Sequence, residues 1–331
     1  MKNKIFPRRQ FLVALIASTA VLVAATPLEA HAAEQYPSGT VTLVVPFAPG
    51  GNTDVVSRRI AQSLSELWGE TVIVENKPGA GTVIGVNQVA RAKPDGQVLG
   101  TITGSFTVNP YLMTDIPYDT EKDIAPVAMF GLSDHVLVVH PSVQADDLNG
   151  LIELARQQPG ELAYASFGNG SSPHLSSELI KLNYDLDIIH VPYRGQAPGL
   201  QDLLGGQVQM MFVNLPQALP LIKDKQLKAI GIAATERSKY APDIPTLGEQ
   251  GFEVVSNSWS GLIAPAGTPD ELINKINADV NETLAQPDVI ENFELSFMDT
   301  WPMSTEEFSD YLKQEMARAK EIIEKADIHI D

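Results

Sequence analysis

The 331-residue chain carries 23 Lys and Arg against 41 Asp and Glu, a formal net charge of −18, and contains no cysteine. That acidity excludes a broad nucleic-acid-binding face, which needs clustered Lys and Arg to displace counterions. The missing thiols exclude disulfide scaffolds, thiolate zinc sites, thiol catalysis, haem attachment and a lipid anchor carried on cysteine.

A single core stops growing beyond roughly 250–300 residues, so this length points to two domains. Residues 1–32 hold Lys2, Lys4, Arg8 and Arg9 against Glu29 alone, a net +3 that leaves −21 on the rest. The basic start, the apolar run Phe11–Ala25 and the small-x-small site Ala30-His31-Ala32 predict an export signal cleaved near Ala32/Ala33. Its run of about 15 apolar residues is shorter than the roughly 20 that span a bilayer. Arg8-Arg9 resembles a twin-arginine signal, but Pro7 and Val13 depart from it, so both that route and the general secretory (Sec) route stay open.

From Thr40 onward short apolar runs alternate with helical periodicity. Val41–Val45 reads as a buried strand, and Thr53–Leu67 as a helix with Val56, Ile60, Leu64 and Leu67 on one face. A strand at Thr71–Glu75, a helix at Val83–Ala92 and a strand at Val98–Ile102 follow, then an irregular stretch, then two strands, Val127–Phe130 and Val136–Val139. The alternation resumes with helix Leu148–Gln157, strand Leu162–Ala165, helix Ser172–Leu182, strand Ile188–Val191 and helix Ala197–Leu204. Strand Val208–Phe212, helix Leu219–Lys223 and strand Leu227–Ile232 complete it. Such interleaving predicts parallel sheets covered on both faces. Pro269–Ala285 and Glu306–Lys325 read as amphipathic helices packed across the outside of a sheet.

A search for reacting groups finds few. There is no Gly-x-Ser-x-Gly elbow and no P-loop. Gly79-Ala80-Gly81-Thr82-Val83-Ile84-Gly85 is one residue too long for a dinucleotide loop, and the next strand ends at Thr103 without the acid that would hold a ribose. His135, His140, His174, His190 and His329 have no metal-site spacing. Asp54 suits a helix N-terminus, where an acid meets unpaired N–H groups and the positive end of the dipole.

What the sequence offers instead is two glycine-rich junctions, each feeding a helix. Phe47-Ala48-Pro49-Gly50-Gly51-Asn52-Thr53 and Ser166-Phe167-Gly168-Asn169-Gly170-Ser171-Ser172 can bring backbone N–H groups and a helix end to an anion, or can simply be turns.

These residues carry a resemblance. Val45-Pro46-Phe47-Ala48-Pro49-Gly50-Gly51-Asn52-Thr53-Asp54 is similar to the opening signature of the solute-binding proteins of tripartite tricarboxylate transporters, the Bug (TctC-like) family. Glu75–Gly81, Ile84-Gly85, Ala92–Gly96, Asn109-Pro110, Phe167–His174, His190–Gly195, Pro245–Gly251 and Gly261–Pro269 follow in the family's order. The resemblance implies a type II-like periplasmic binding protein: two doubly wound α/β lobes, a chain crossing between them twice, and a ligand cleft. Residues 34–135 plus 257–331 would form one domain and 136–256 the other. The protein would be periplasmic and monomeric, without catalytic residues, cofactor or metal. It would capture a small carboxylate and hand it to the membrane subunits of a transporter, or else present it to a membrane sensor kinase.

Carried over, the family's site places Phe47, Ala48, Gly51, Asn52 and Thr53 on one jaw. Phe167, Gly168, Asn169, Ser171, Ser172 and His174 form the other, with Gly104, Ser105, Tyr193, Arg194 and Trp259 lining the cleft. Arg194 could hold a second carboxylate bidentately or serve as a surface hinge residue. Gln209 and Val213 stand where relatives often carry Asp, which would disfavour an amine-bearing ligand. Phe106 would either join Phe47, Phe167 and Trp259 in an aromatic wall or pack in the core.

Overall fold

A computed structural model describes residues 36–295, 298–326 and 328 of the chain; the expected export signal and His329 lie outside them. The first strands, β1 (Val41–Val45), β2 (Val72–Asn76) and β3 (Val98–Thr103), are parallel neighbours in the order β2-β1-β3. Helix α1 (Asn52–Trp68) connects β1 to β2, and α2 (Val83–Ala90) leads from β2 towards β3. Val56, Ile60 and Leu64 of α1 are buried as its periodicity predicts, but Leu67 is 38% exposed. Its place is taken by Trp68, which meets Tyr36 edge to face at 5.2 Å and donates its indole N–H to Asp279 at 2.6 Å.

The stretch after β3 is a helix, α3 (Gly104–Leu112), with Pro110 inside it. The two strands expected near Val127 and Val136 are halves of one 16-residue strand, β4 (Ile124–Val139). Its first half pairs antiparallel with β9 (Asn257–Pro265), and its second half with β7 (Met210–Asn214) and β8 (Lys228–Ile232). The chain therefore passes from one lobe to the other inside a strand. Between the halves, Gly131 lies directly under the main chain of Asp299 in β10 (Asp299–Thr300), where no side chain would fit.

The second lobe continues the alternation: α4 (Leu148–Gln157), β5 (Ala163–Ser166), α5 (Ser172–Tyr184), β6 (Ile189–Pro192), α6 (Gln196–Leu204), β7, α7 (Leu215–Lys223) and β8. Strand β5 is parallel to β6 and β7. The whole order is β2-β1-β3-β9-β4-β7-β5-β6, with β8 and β10 attached to β4. The purely parallel expectation is thus corrected: β4 and β9, the segments at the lobe crossings, run antiparallel to their neighbours. Each lobe buries its own apolar layers, around Leu43, Ile60 and Phe130 in the first and Leu137, Tyr164 and Phe212 in the second.

The C-terminal helices α8 (Asp270–Leu284), α9 (Pro287–Leu295) and α10 (Thr305–Ala326) return to the first lobe. Phe308 of α10 packs onto Gly261 of β9, whose backbone lies so close that an added Cβ would stand 2.8 Å from the carbonyl oxygen of Ala128 and against the Phe308 ring. Further along, Ala319, Ile322 and Ile323 of α10 pack with Val108 and Leu112 of α3 in the same lobe and with Leu175 of α5 in the second. Overpacking of this kind costs about 1–3 kcal/mol. Gly261→Ala should lower the unfolding free energy by that amount in chemical denaturation; an unchanged midpoint would contradict this packing.

Candidate functional site

A cleft of about 810 Å³ opens between the lobes. The loop after β1 forms one side, and its shape is held from behind by Asp54. This buried carboxylate accepts from the Gly50 N–H (2.9 Å), Asn76 Nδ2 (2.8 Å) and Arg58 Nε (3.0 Å), while Asn76 also donates to the Phe47 carbonyl at 3.0 Å. Burial alone would raise the Asp54 pKa, but those donors outweigh it and hold it below the ordinary carboxylate value. Asp54 therefore ties the loop to the sheet as well as answering the helix end.

Helix beginnings dominate the cleft. The starts of α1, α3, α5 and α6 reach it through Asn52, Gly104, Ser172 and Gln196, and Asn214 does so just ahead of α7. None of the residues preceding these helices caps them with a side chain. Three that could do so are bonded elsewhere: Thr103 Oγ1 bonds Ser105 Oγ at 3.2 Å, Ser171 Oγ donates to the Gly168 carbonyl at 2.7 Å, and Asn214 Oδ1 accepts from Ser258 Oγ at 2.9 Å. The first turns of α3, α5, α6 and α7 also carry no acid. Helices away from the cleft differ. Asp147 caps α4 by accepting from the Gly150 N–H at 2.7 Å, and α8 and α10 begin with Asp270-Glu271 and Glu306-Glu307. First-turn N–H groups lack partners within a helix, and the dipole puts partial positive charge there. The cleft thus collects donors and positive potential without side-chain cations. Among the described residues lining it, the one ionisable side chain is Asp115.

The opposite loop, Phe167–Ser172, has its own buried support. The Gly170 N–H donates to His174 Nδ1 at 3.0 Å, and His190 Nε2 bonds Ser166 Oγ at 2.7 Å. The two imidazoles stack at 4.0 Å, and Tyr164 stacks on His190 at 4.7 Å while donating to Glu178 at 2.6 Å. Burial, reinforced by the Lys181 charge, lowers His174 to about 4. Burial and the neighbouring His174 lower His190 to about 4. At Gly170 the backbone has φ +74°, which favours glycine, and an added Cβ would also press on Leu112 Cδ1 of the first lobe at 2.5 Å.

Of the residues expected from sequence, Phe47, Asn52, Thr53, Gly104, Ser105, Phe167, Asn169, Ser171, Ser172 and Trp259 line this one cleft. Ala48, Gly51, Gly168, His174, Tyr193 and Arg194 do not. His174 is buried behind its loop, Tyr193 donates to Asp202 at 2.6 Å, and Ala48, Gly51 and Arg194 are exposed. Three substrate arguments also change. Val213 is fully buried in the second core, and Gln209 accepts from the Ala163 N–H at 2.9 Å, so neither lies in the cleft. Phe106 is a core residue beside Ile102 and Met129. The cleft gains residues not foreseen: Thr82, Thr103, Asn109, Gln196, Asn214, Asn257, Ser258, Ser260 and Met298 among them. Gln196 and Asn214 stand at strand-to-helix junctions, the same signal that marked the two glycine-rich loops.

Fold and cleft define a two-lobed solute-binding protein. A family model described as the tripartite tricarboxylate transporter family receptor matches residues 56–328. Protein BugT of Bordetella pertussis (strain Tohama I) is 37% identical over 283 residues, covering 84% of this chain and 87% of BugT. Among solved structures, R. palustris Rpa4515 with adipate is 31% identical with a TM-score of 0.78, covering 89% of this chain and 100% of that one. MatC from Rhodopseudomonas palustris with bound malate is 31% identical with a TM-score of 0.74, covering 87% and 100%. The chain belongs to the tripartite tricarboxylate transporter receptor family, the TctC or Bug proteins, as its motifs suggested.

The histidine stack sets a pH dependence. Unfolded imidazoles titrate near 6.5 and these folded ones near 4, so between those values the unfolded chain holds more protons. Their contribution to stability is complete above about pH 6.5 and is lost as pH falls towards 4. His174→Asn keeps an acceptor for the Gly170 N–H but removes one titration. It should flatten the fall of the thermal midpoint over that range, and an unchanged slope would contradict the assignment.

Proposed function

We propose that this protein is a periplasmic receptor for a small organic carboxylate, which it delivers to the membrane subunits of a tripartite tricarboxylate-type transporter. The observation that carries the reading is the set of uncapped helix N-termini opening on a cleft without Lys, Arg or His among its described lining residues. An anion is the ligand that satisfies such amides. Relatives solved with adipate and with malate support a carboxylate as that anion. Phe47, Phe167 and Trp259 supply apolar surface for the body of the acid.

Residues 34–135 with 257–331 form one jaw in this reading and 136–256 the other, and they close about the two crossings at β4 and ahead of β9. Binding, transfer and release need no reacting side chain. The export signal would be removed near Ala32/Ala33 on the way to the periplasm. Among the described residues, no helix is long and apolar enough to cross a membrane.

Calorimetry on protein stripped of bound metabolites should give saturable binding of at least one acid from a panel of malate, adipate, citrate and benzoate. No saturable acid would overturn the reading. Because the chain's net charge is −18 and the described residues lining the cleft include Asp115 but no cation, added salt should tighten binding modestly by screening like-charge repulsion. A steep loss of affinity with salt would instead indicate a cationic site.

A further inference from the structure

We propose that Trp259 is a ligand-reading donor: its indole N–H and the first-turn amides of α3 at Gly104 and Ser105 form a seat for one carboxylate oxygen on the cleft wall. The proposal rests on the carboxylate reading above and goes beyond it by assigning a particular side chain and place. Trp259 is only 3% exposed, and its ring is fixed edge to face against Phe308 and Tyr311, at centroid distances of 6.4 and 5.6 Å. A buried indole N–H ordinarily finds a hydrogen-bond partner. Among the described residues Nε1 of Trp259 has no hydrogen-bond partner and is not sealed from solvent, whereas Trp68, in the same lobe, donates to Asp279.

That orphan donor stands at a helix beginning. A Cβ built on Gly104 would lie 3.7 Å from Trp259 Nε1, and both residues line the cleft. Helix α3 has no side-chain cap and no acid in its first turn. The first-turn N–H groups of Gly104 and Ser105, which the helix cannot pair internally, and the indole N–H thus stand side by side among residues that line the cleft. A carboxylate oxygen accepts several hydrogen bonds at once and is stabilised by the positive end of the helix. Gly104 keeps the seat open: a side chain there would be tolerated sterically but would crowd the indole N–H.

The test uses adipate and malate on the full mature protein. Trp259→Phe keeps an aromatic ring against Phe308 and Tyr311 but removes the N–H. Gly104→Ala leaves Trp259 intact and covers its donor. Both variants should hold the wild-type thermal midpoint to within a few degrees and lose about tenfold or more in affinity, as expected for one charge-assisted hydrogen bond. With ¹⁵N-labelled tryptophan, the Trp259 indole proton should move downfield on addition of the acid that binds, while those of Trp68 and Trp301 hold still. If wild type and both variants bind alike and the Trp259 signal does not move, the seat is wrong while the carboxylate reading survives. If neither acid binds wild-type protein, the seat and that reading fall together.

Discussion

Every helix begins with backbone N–H groups that the helix itself cannot satisfy, and in this protein that obligation converges on one place. The helices that start at the interlobe cleft have no side-chain caps, and four of them have no acid in the first turn. Helices α4, α8 and α10, which start elsewhere, meet an aspartate cap or a pair of acids. In the proposed reading the cleft is an anion site made, among its described lining residues, almost wholly from main chain and neutral side chains. This reconciles a strongly acidic protein with a carboxylate ligand. Net charge acts over long range and is screened within about 8–10 Å in salt, whereas binding is decided by oriented N–H groups a hydrogen bond away.

Such donors work only if the backbone carrying them is already in position. Each glycine-rich loop is therefore braced by a buried polar group that does not itself line the cleft. Asp54 pins the first loop through Gly50 and Asn76, and His174 pins the second through the Gly170 N–H. Both side chains appear in motifs shared with the family, yet their contacts assign them to holding loops in shape. The long strand β4 plays the corresponding part at larger scale. It carries one core into the next within a single strand.

Much of this was legible in the sequence because it follows from local rules. Apolar runs bounded by Gly and Pro located most strands and helices to within a few residues, and each glycine-rich junction brings part of itself to the cleft, Phe47, Asn52 and Thr53 from the first and Phe167 and Asn169–Ser172 from the second. What escaped depends on partners distant in the chain. The stretch after Ile102 read as irregular, yet α3 forms there with Pro110 inside it. Gly131-Leu132-Ser133-Asp134 looked like a gap between strands, yet β9 pairs with it. Val213 was given significance because an acid is common there in relatives, but its side chain turns into the core, and the polar group that meets the cleft is the next residue, Asn214. Strand periodicity says which residues alternate, not which face meets a ligand.

The central claim is that helix beginnings, not a charged side chain, hold the acid. Backbone ¹⁵N–¹H spectra recorded while a bound carboxylate is titrated in test it most directly. The account predicts the largest amide shifts at Asn52, Thr53, Gly104, Ser105 and Ser172, the first turns of three helices that reach the cleft from both lobes. Shifts concentrated instead around exposed Arg194, with those first-turn amides unmoved, would contradict it.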